Sequence, residues 1–189
     1  MEKPDVVFHL LFTGYVGGRT ASTVSAIAAG GHLVVVDPGM VPSRAAITEP
    51  LALGGYEPED VTDVVISHHH PDHTMNIALF PRARVHDHWA VYHNDRWISR
   101  PAEGFEVCPG VTLWETPGHT PQDISTVVSD SRGVTVLTHL WWDSSGPHLD
   151  PFASDGQGIV AGRKRVLEVA DLVVPGHGAP FVPGDDTPV

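Results

Sequence analysis

Apolar residues along this chain come in short runs that stop at glycine, proline or histidine. Such runs predict strands over 6–13 and 21–28, parted by the turn-rich Gly14-Tyr15-Val16-Gly17-Gly18, and over 32–37 after Gly30-Gly31. Further strands are predicted over 61–67 and 83–86, and over 106–108 and 111–115 about a Pro109-Gly110 hairpin turn. The remaining three span 123–128, 134–138 and 172–174. Helical spacing is weaker: 43–53 contains Pro50, 75–80 is short, and 157–170 is the best helix. In that helix Ile159, Val166, Leu167 and Ala170 fall on one face, with Arg163, Lys164 and Glu168 outside it. Strands in runs with helices between them predict an α/β fold of two packed sheets covered by helices.

Histidines recur just beyond the apolar runs. His68 follows 64–67, His119 follows 111–115, His139 follows 134–138 and His177 follows 172–174. Any one of these would pass for a partly buried core histidine. Four in the same relation to a strand predict strand ends lying side by side, with the rings gathered at one sheet edge. The densest stretch is His68-His69-His70-Pro71-Asp72-His73. Read as His-x-His-x-Asp-His, it offers an imidazole pair and an Asp/His pair offset by a short turn, which suits two adjacent cations. Imidazole and carboxylate are ligands that zinc, iron and manganese accept. Without a cation, so many rings at the end of a buried strand would be costly.

Length and composition narrow the reading. The chain has 189 residues, enough for one domain over 1–189, and 41% apolar with 18% charged residues is globular. A net charge of −12 counts against a general nucleic-acid binder, which needs a basic stripe. The single cysteine, Cys108, leaves no disulfide framework and no thiolate cluster within one chain. The apolar run from Val6 to Phe12 is broken by His9 and lacks the pattern of a signal peptide, and nothing approaches a membrane span; the expectation is a cytoplasmic protein.

With these residues assembled, the chain resembles the metallo-β-lactamase superfamily. The resemblance rests on His-x-His-x-Asp-His at 68–73, Pro117-Gly118-His119-Thr120, Pro175-Gly176-His177-Gly178 and the early turn Val36-Asp37-Pro38-Gly39. It covers nearly the whole chain. It implies an αβ/βα four-layer sandwich with a metal centre at one edge of the sheets. Carried over residue by residue, it implies His68, His70 and His119 around a first metal, and Asp72, His73 and His177 around a second. Asp37 would be an outer carboxylate steadying a ligand. One position departs from the pattern. The family's bridging Gly-Asp is replaced by Thr138-His139, and a neutral imidazole has one lone pair where a carboxylate has two oxygens and a charge. His139 is therefore expected to ligate one ion and to bridge poorly, leaving the two positions unequal.

The implied activity is metal-dependent hydrolysis by a metal-bound hydroxide of an ester, lactone, thioester, amide or phosphodiester. One or two Zn²⁺ ions are expected, with Fe or Mn as alternatives, and Asp72 is the protein group expected to orient the hydroxide. The partner is a small-molecule substrate, with no membrane and no nucleic acid. Tyr15, Trp141 and Trp142 are candidate pocket walls, although either tryptophan alone would serve equally well in the core. His69 is expected to point away from its neighbours, and His86, His88 and His93 to form a solvated cluster rather than a third metal site. Two rival readings are a mononuclear iron enzyme of the persulfide dioxygenase kind on the same fold, and a non-catalytic metal-binding module. Retention of Asp72 among so many histidines counts against the latter.

Overall fold

The computed structural model describes residues 5–189. Strands β1 (Val6–Phe12), β2 (Val24–Ala29), β3 (His32–Val36), β4 (Asp63–Val65), β5 (Arg84–His86), β6 (Ala90–His93) and β7 (Arg96–Ser99) form one seven-stranded sheet in that spatial order. Strands β8 (Glu106–Cys108), β9 (Val111–Glu115), β10 (Ile124–Asp130), β11 (Gly133–Thr138) and β12 (Leu172–Pro175) form the second, ordered β12-β11-β10-β9-β8. The helices are α1 (Ala45–Leu53), the single turn α2 (Pro71–Thr74) and α3 (Gly156–Leu167).

Side-chain alternation along the strands sorts the core into three slabs. Val34 and Val36 of β3 face Leu113, Ile124, Val128, Leu137 and Val174 of the second sheet. Their neighbours Leu33 and Val35 turn the other way, onto Ile47 and Leu51 of α1. On the far side, Val127, Val136 and Val173 meet Ile159 and Val166 of α3. This is helix, sheet, sheet, helix: the αβ/βα sandwich implied by the resemblance. Each fully buried valine or leucine contributes about 1.5–3 kcal/mol, and the period of two decides which slab receives it.

The sequence reading missed some elements. The expected helix at 75–80 is only a 3₁₀ turn at Ile77–Leu79, and a helical turn appears earlier, opened by Pro71 at its first position. The β6–β7 hairpin was not foreseen; its turn is Asn94-Asp95, with Asn94 at φ 54°. Arg163, expected outside α3, is fully buried. It stands four residues from Ile159 and three from Val166, hence on the core face. Its guanidinium is accommodated because Nε donates to the Leu140 carbonyl (2.8 Å) and Nη2 to that of Pro147 (2.7 Å). These two bonds brace the segment that follows His139.

Strand direction decides where chemistry can gather. β3, β4 and β5 are mutually parallel, as are β11 and β12. β9 runs antiparallel to β10, which runs antiparallel to β11. The C-terminal ends of β3, β4, β9, β11 and β12 therefore open on one edge of the sandwich.

Candidate metal centre

Four of those strand ends deliver the histidines singled out above, and β3 delivers Asp37. β4 leads into His68, His70, Asp72 and His73; β9 leads to His119; β11 leads straight into His139; β12 leads to His177. His68, His73, His119, His139 and His177 are buried, His70 is exposed and Asp72 half-buried. Two groups of three rings could each hold a cation: His68, His119 and His139, and His73, His139 and His177.

Around the first position, His68 Nε2 lies 3.0 Å and His119 Nε2 3.1 Å from His70 Nδ1. One ring nitrogen cannot serve both neighbours well through a single lone pair or a single proton. Three nitrogens converging at this spacing instead suit a shared cation, since a tetrahedral ion with bonds of about 2.0–2.1 Å sets its ligands about 3.3 Å apart. Around the second, Asp72 Oδ2 lies 3.6 Å from both His73 Nε2 and His177 Nε2, and His139 Nε2 lies 3.1 Å from His177 Nε2. His73 Nε2 is buried and has no hydrogen-bond partner among the described residues, an orphan that a cation would satisfy. The donor set and its spacing therefore fit metal binding at both positions.

The far nitrogens of His68, His73, His119 and His177 are held by the protein, which aims the near ones inward; that of His139 has no partner among the described residues. His73 Nδ1 donates to Asp37 Oδ2 (2.9 Å), and His177 Nδ1 to the Ala21 carbonyl (3.0 Å). His68 Nδ1 meets the Ser67 hydroxyl (3.0 Å), which itself donates to Asp37 Oδ2 (2.7 Å). His119 Nδ1 donates to Asp150 Oδ2 at 2.6 Å, with the Asp150 side chain nearly inaccessible. Burial first, and then the crowding of other rings, pushes His68 and His139 well below the usual imidazole range, so both present neutral lone pairs at neutral pH. His70 and His177 shift downward for the same reasons, burial leading. His73 goes the other way. Burial opposes its charge, but the Asp37 carboxylate, by charge and hydrogen bond, and Asp72 outweigh that and raise its pKa.

His139 sits among the other rings, with centroids 4.4 Å from His119, 4.6 Å from His68, 4.9 Å from His73 and 5.1 Å from His177. Its ring lies against Gly176, where a Cβ would come within 2.5 Å of its Cδ2. The glycine leaves room for an imidazole at this position.

Beside the imidazoles lies a cavity of about 320 Å³, lined by His70, Asp72, His119, His139 and His177 together with Val16, Thr20, Trp142 and Phe152. Trp142, expected as a wall, is one. Trp141 is not: it is fully buried in the α3 slab, and its indole N–H donates to the Pro188 carbonyl (2.8 Å). Tyr15 is also absent from the lining. It pairs with Ala21 and packs edge-on against Phe12, while its loop neighbours Val16 and Thr20 reach the cavity. Larger surface hollows around His32 contain none of the converging rings.

The other histidines disperse. His69 turns outward to Asp87 (3.1 Å), which also accepts from the Tyr92 hydroxyl (2.7 Å). His86 donates to the buried Asp63 (2.7 Å), which Arg84 also binds through Nε (2.8 Å). His86, His88 and His93 do not converge. Asp150 escaped the sequence reading entirely. It lies in an irregular stretch 31 residues from His119, with no spacing to signal the pairing.

Comparison with known proteins agrees with this architecture. Residues 17–180 match the family description of the metallo-beta-lactamase superfamily. Metallo-beta-lactamase domain-containing protein 1 of Mus musculus is 39% identical over 161 residues, covering 78% of this chain and 60% of that one. The chain thus spans about three fifths of the mouse protein's length. The Xenopus laevis protein of the same description is 34% identical over 193 residues, covering 92% and 80% of the two chains. A solved structure of a Thermotoga maritima protein, classed with the metallo-beta-lactamases, shares the fold at a TM-score of 0.75 and 22% identity, covering 94% of this chain and 99% of its own. On its matched span, its relatives and its sandwich, the chain belongs to the metallo-beta-lactamase superfamily.

Proposed function

We propose that this chain is a metal-dependent hydrolase of a small-molecule ester, lactone, thioester or amide, with zinc as its resident ion. The observation that carries the reading is the convergence of His68 Nε2 and His119 Nε2 on His70 Nδ1 at 3.0–3.1 Å beside an open cavity. In this reading His68, His70 and His119 hold one ion, and Asp72, His73, His177 and His139 hold a second more loosely. Bound there, the metal supplies a water acidic enough to attack at neutral pH and a Lewis acid for the substrate carbonyl. Asp72, half-exposed at the cavity, orients that water by accepting its hydrogen bond and takes up the proton released on attack. Asp72, once it carries that proton, is placed to return it to the departing oxygen, sulfur or nitrogen. Val16, Trp142 and Phe152 keep bulk water from one side of the site. Among the described residues no lysine or arginine lines the cavity, which favours an uncharged acyl compound over a phosphodiester. No described helix is long and apolar enough to cross a membrane.

The test is elemental analysis of the purified protein, followed by a panel of esters, lactones, thioesters and phosphodiesters before and after chelation. Chelation is expected to abolish turnover, and zinc or manganese to restore it. Removing the ion should also lower Tm by roughly 10 °C. An ion at a thousand times its Kd stabilises the native state by about 4 kcal/mol, and each kcal/mol moves a chain of this size by about 2–4 °C. Full turnover or an unshifted Tm in protein verified to be metal-free refutes the reading.

A second test addresses His139. A carboxylate offers two oxygens and a negative charge where the ring offers one lone pair. His139→Asp is therefore expected to raise zinc stoichiometry toward two or to tighten the second binding step about tenfold or more. Calorimetric titration reads this directly. Two equally tight zinc ions in the unmodified protein, unaffected by the substitution, would contradict the inequality.

A further inference from the structure

Phe152 is 72% exposed yet lies parallel to Trp142, with ring centroids 6.0 Å apart and planes at 15°. Both rings line the cavity beside the imidazoles, together with Val16. A scattered exposed aromatic residue needs no explanation, but a stacked pair walling a histidine-lined cavity does. Each ring is also tied to a different candidate ligand. Asp150 accepts from the Phe152 amide through Oδ1 (2.8 Å) and from His119 Nδ1 through Oδ2 (2.6 Å). The Trp142 carbonyl accepts the His177 amide at 2.7 Å. One hydrogen-bonded link on each side thus holds the shelf in register with both metal positions. Its surface is apolar, flat and free of charge.

We infer that the Trp142–Phe152 shelf is a specificity subsite that takes the apolar acyl or aryl arm of the substrate and sets its carbonyl beside the metal ligands. This rests on the hydrolase reading for the reacting end, but the shelf can be tested without turnover. An apolar arm covered by two rings gains about fourfold in affinity per fully buried methylene, so a medium chain should bind much more tightly than a two-carbon acid.

The experiment uses the full chain loaded with zinc. Calorimetry measures binding of acetate, octanoate and phenylacetate, and thiol release is followed for acetyl and octanoyl thioesters of one small thiol. Octanoate and phenylacetate are expected to bind at least about tenfold more tightly than acetate. In Phe152→Ala that preference should fall below about twofold with zinc content retained. Because Phe152 is mostly exposed, its truncation leaves the core packing alone. Trp142→Leu, with Tm and zinc content measured, gives an independent second variant in which the preference should also shrink. Equal binding of the three acids, binding of none of them, or a preference that survives Phe152→Ala overturns the inference. If the thioesters are not cleaved while the preference and its loss in Phe152→Ala both hold, thioesters drop out of the hydrolase reading and the subsite stands.

Discussion

Gly39→Ala is expected to abolish the second metal position and to destabilise the fold. A Cβ on Gly39 would lie 1.6 Å from the Asp72 carbonyl oxygen and 2.2 Å from its carbon. These are backbone atoms, so no rotamer change relieves the clash. The turn at 37–40 is stitched to the turn at 70–76 on both sides of the contact. The Met40 amide donates to the Asp72 carbonyl (3.0 Å), the Asn76 amide to that of Pro38 (2.8 Å), and Asn76 Nδ2 to that of Gly39 (2.6 Å). Restoring ordinary separation moves one turn by about 2 Å. That displaces Asp72 and His73 from His177 by more than their ligand spacing tolerates. The cost should reach or exceed the upper end of the roughly 1–3 kcal/mol seen for overpacking. Elemental analysis should find no more than one zinc per chain, and Tm should fall by several degrees. A full complement of metal with unchanged Tm would show that the turns do not approach as described.

Asp37→Ala should have a comparable effect by a different route. The buried carboxylate accepts from the Ser67 amide (2.6 Å), the Ser67 hydroxyl (2.7 Å) and His73 Nδ1 (2.9 Å). Removing it leaves three buried donors unmet and a buried imidazole without its counter-charge, a loss of about 3–5 kcal/mol. Asp37 also sits at φ 51°, a left-handed conformation that Asp and Asn accept more readily than alanine. With about 2–4 °C per kcal/mol, Tm should fall by roughly 6–20 °C. Affinity for the ion held by His73 should drop about 10–100-fold, because nothing then fixes the tautomer and aim of that ring. Asp37→Asn separates the causes. It keeps the shape and the left-handed tolerance but not the charge, so it should fall between the two. An alanine variant with unmodified metal affinity would show that His73 does not depend on Asp37.

The legible part of this molecule was the part written locally. The stretch from His68 to His73 carries its own turn and its own ligand spacing, and the histidines at 119, 139 and 177 follow strands whose apolar runs announce themselves. Apolar strands in runs, with helices between them, announced the two-sheet core. What stayed hidden depended on distant neighbours. Arg163 looked like surface until the Leu140 and Pro147 carbonyls were available to it. Trp141 and Trp142 are adjacent, yet one fills the core and the other walls the cavity, a choice made by α3 and the Pro188 carbonyl. Asp150 has no periodicity because its partner arrives from the far end of another strand. The β6–β7 hairpin was overlooked because His86, His88 and His93 read as a solvated cluster and the polar Asn94-Asp95 between the two strands carries no glycine to announce a reversal.

The bond from His177 Nδ1 to the Ala21 carbonyl joins residues 156 apart, and Thr23 binds the same C-terminal turn through its amide to Gly176 (2.8 Å) and its hydroxyl to Gly178 (2.9 Å). Synthesis runs from Ala21 to His177, so a growing chain exposes the cluster at 68–73 long before these closures can form. Until β12 emerges, any ion captured by that cluster is held by part of its donor set, with water on the remaining sides. Closure entropy of so long a loop also places this step late in folding. A chain cut before β12 would lack Gly176, His177 and Gly178, and with them both the ties to Ala21 and Thr23 and one donor of the second position.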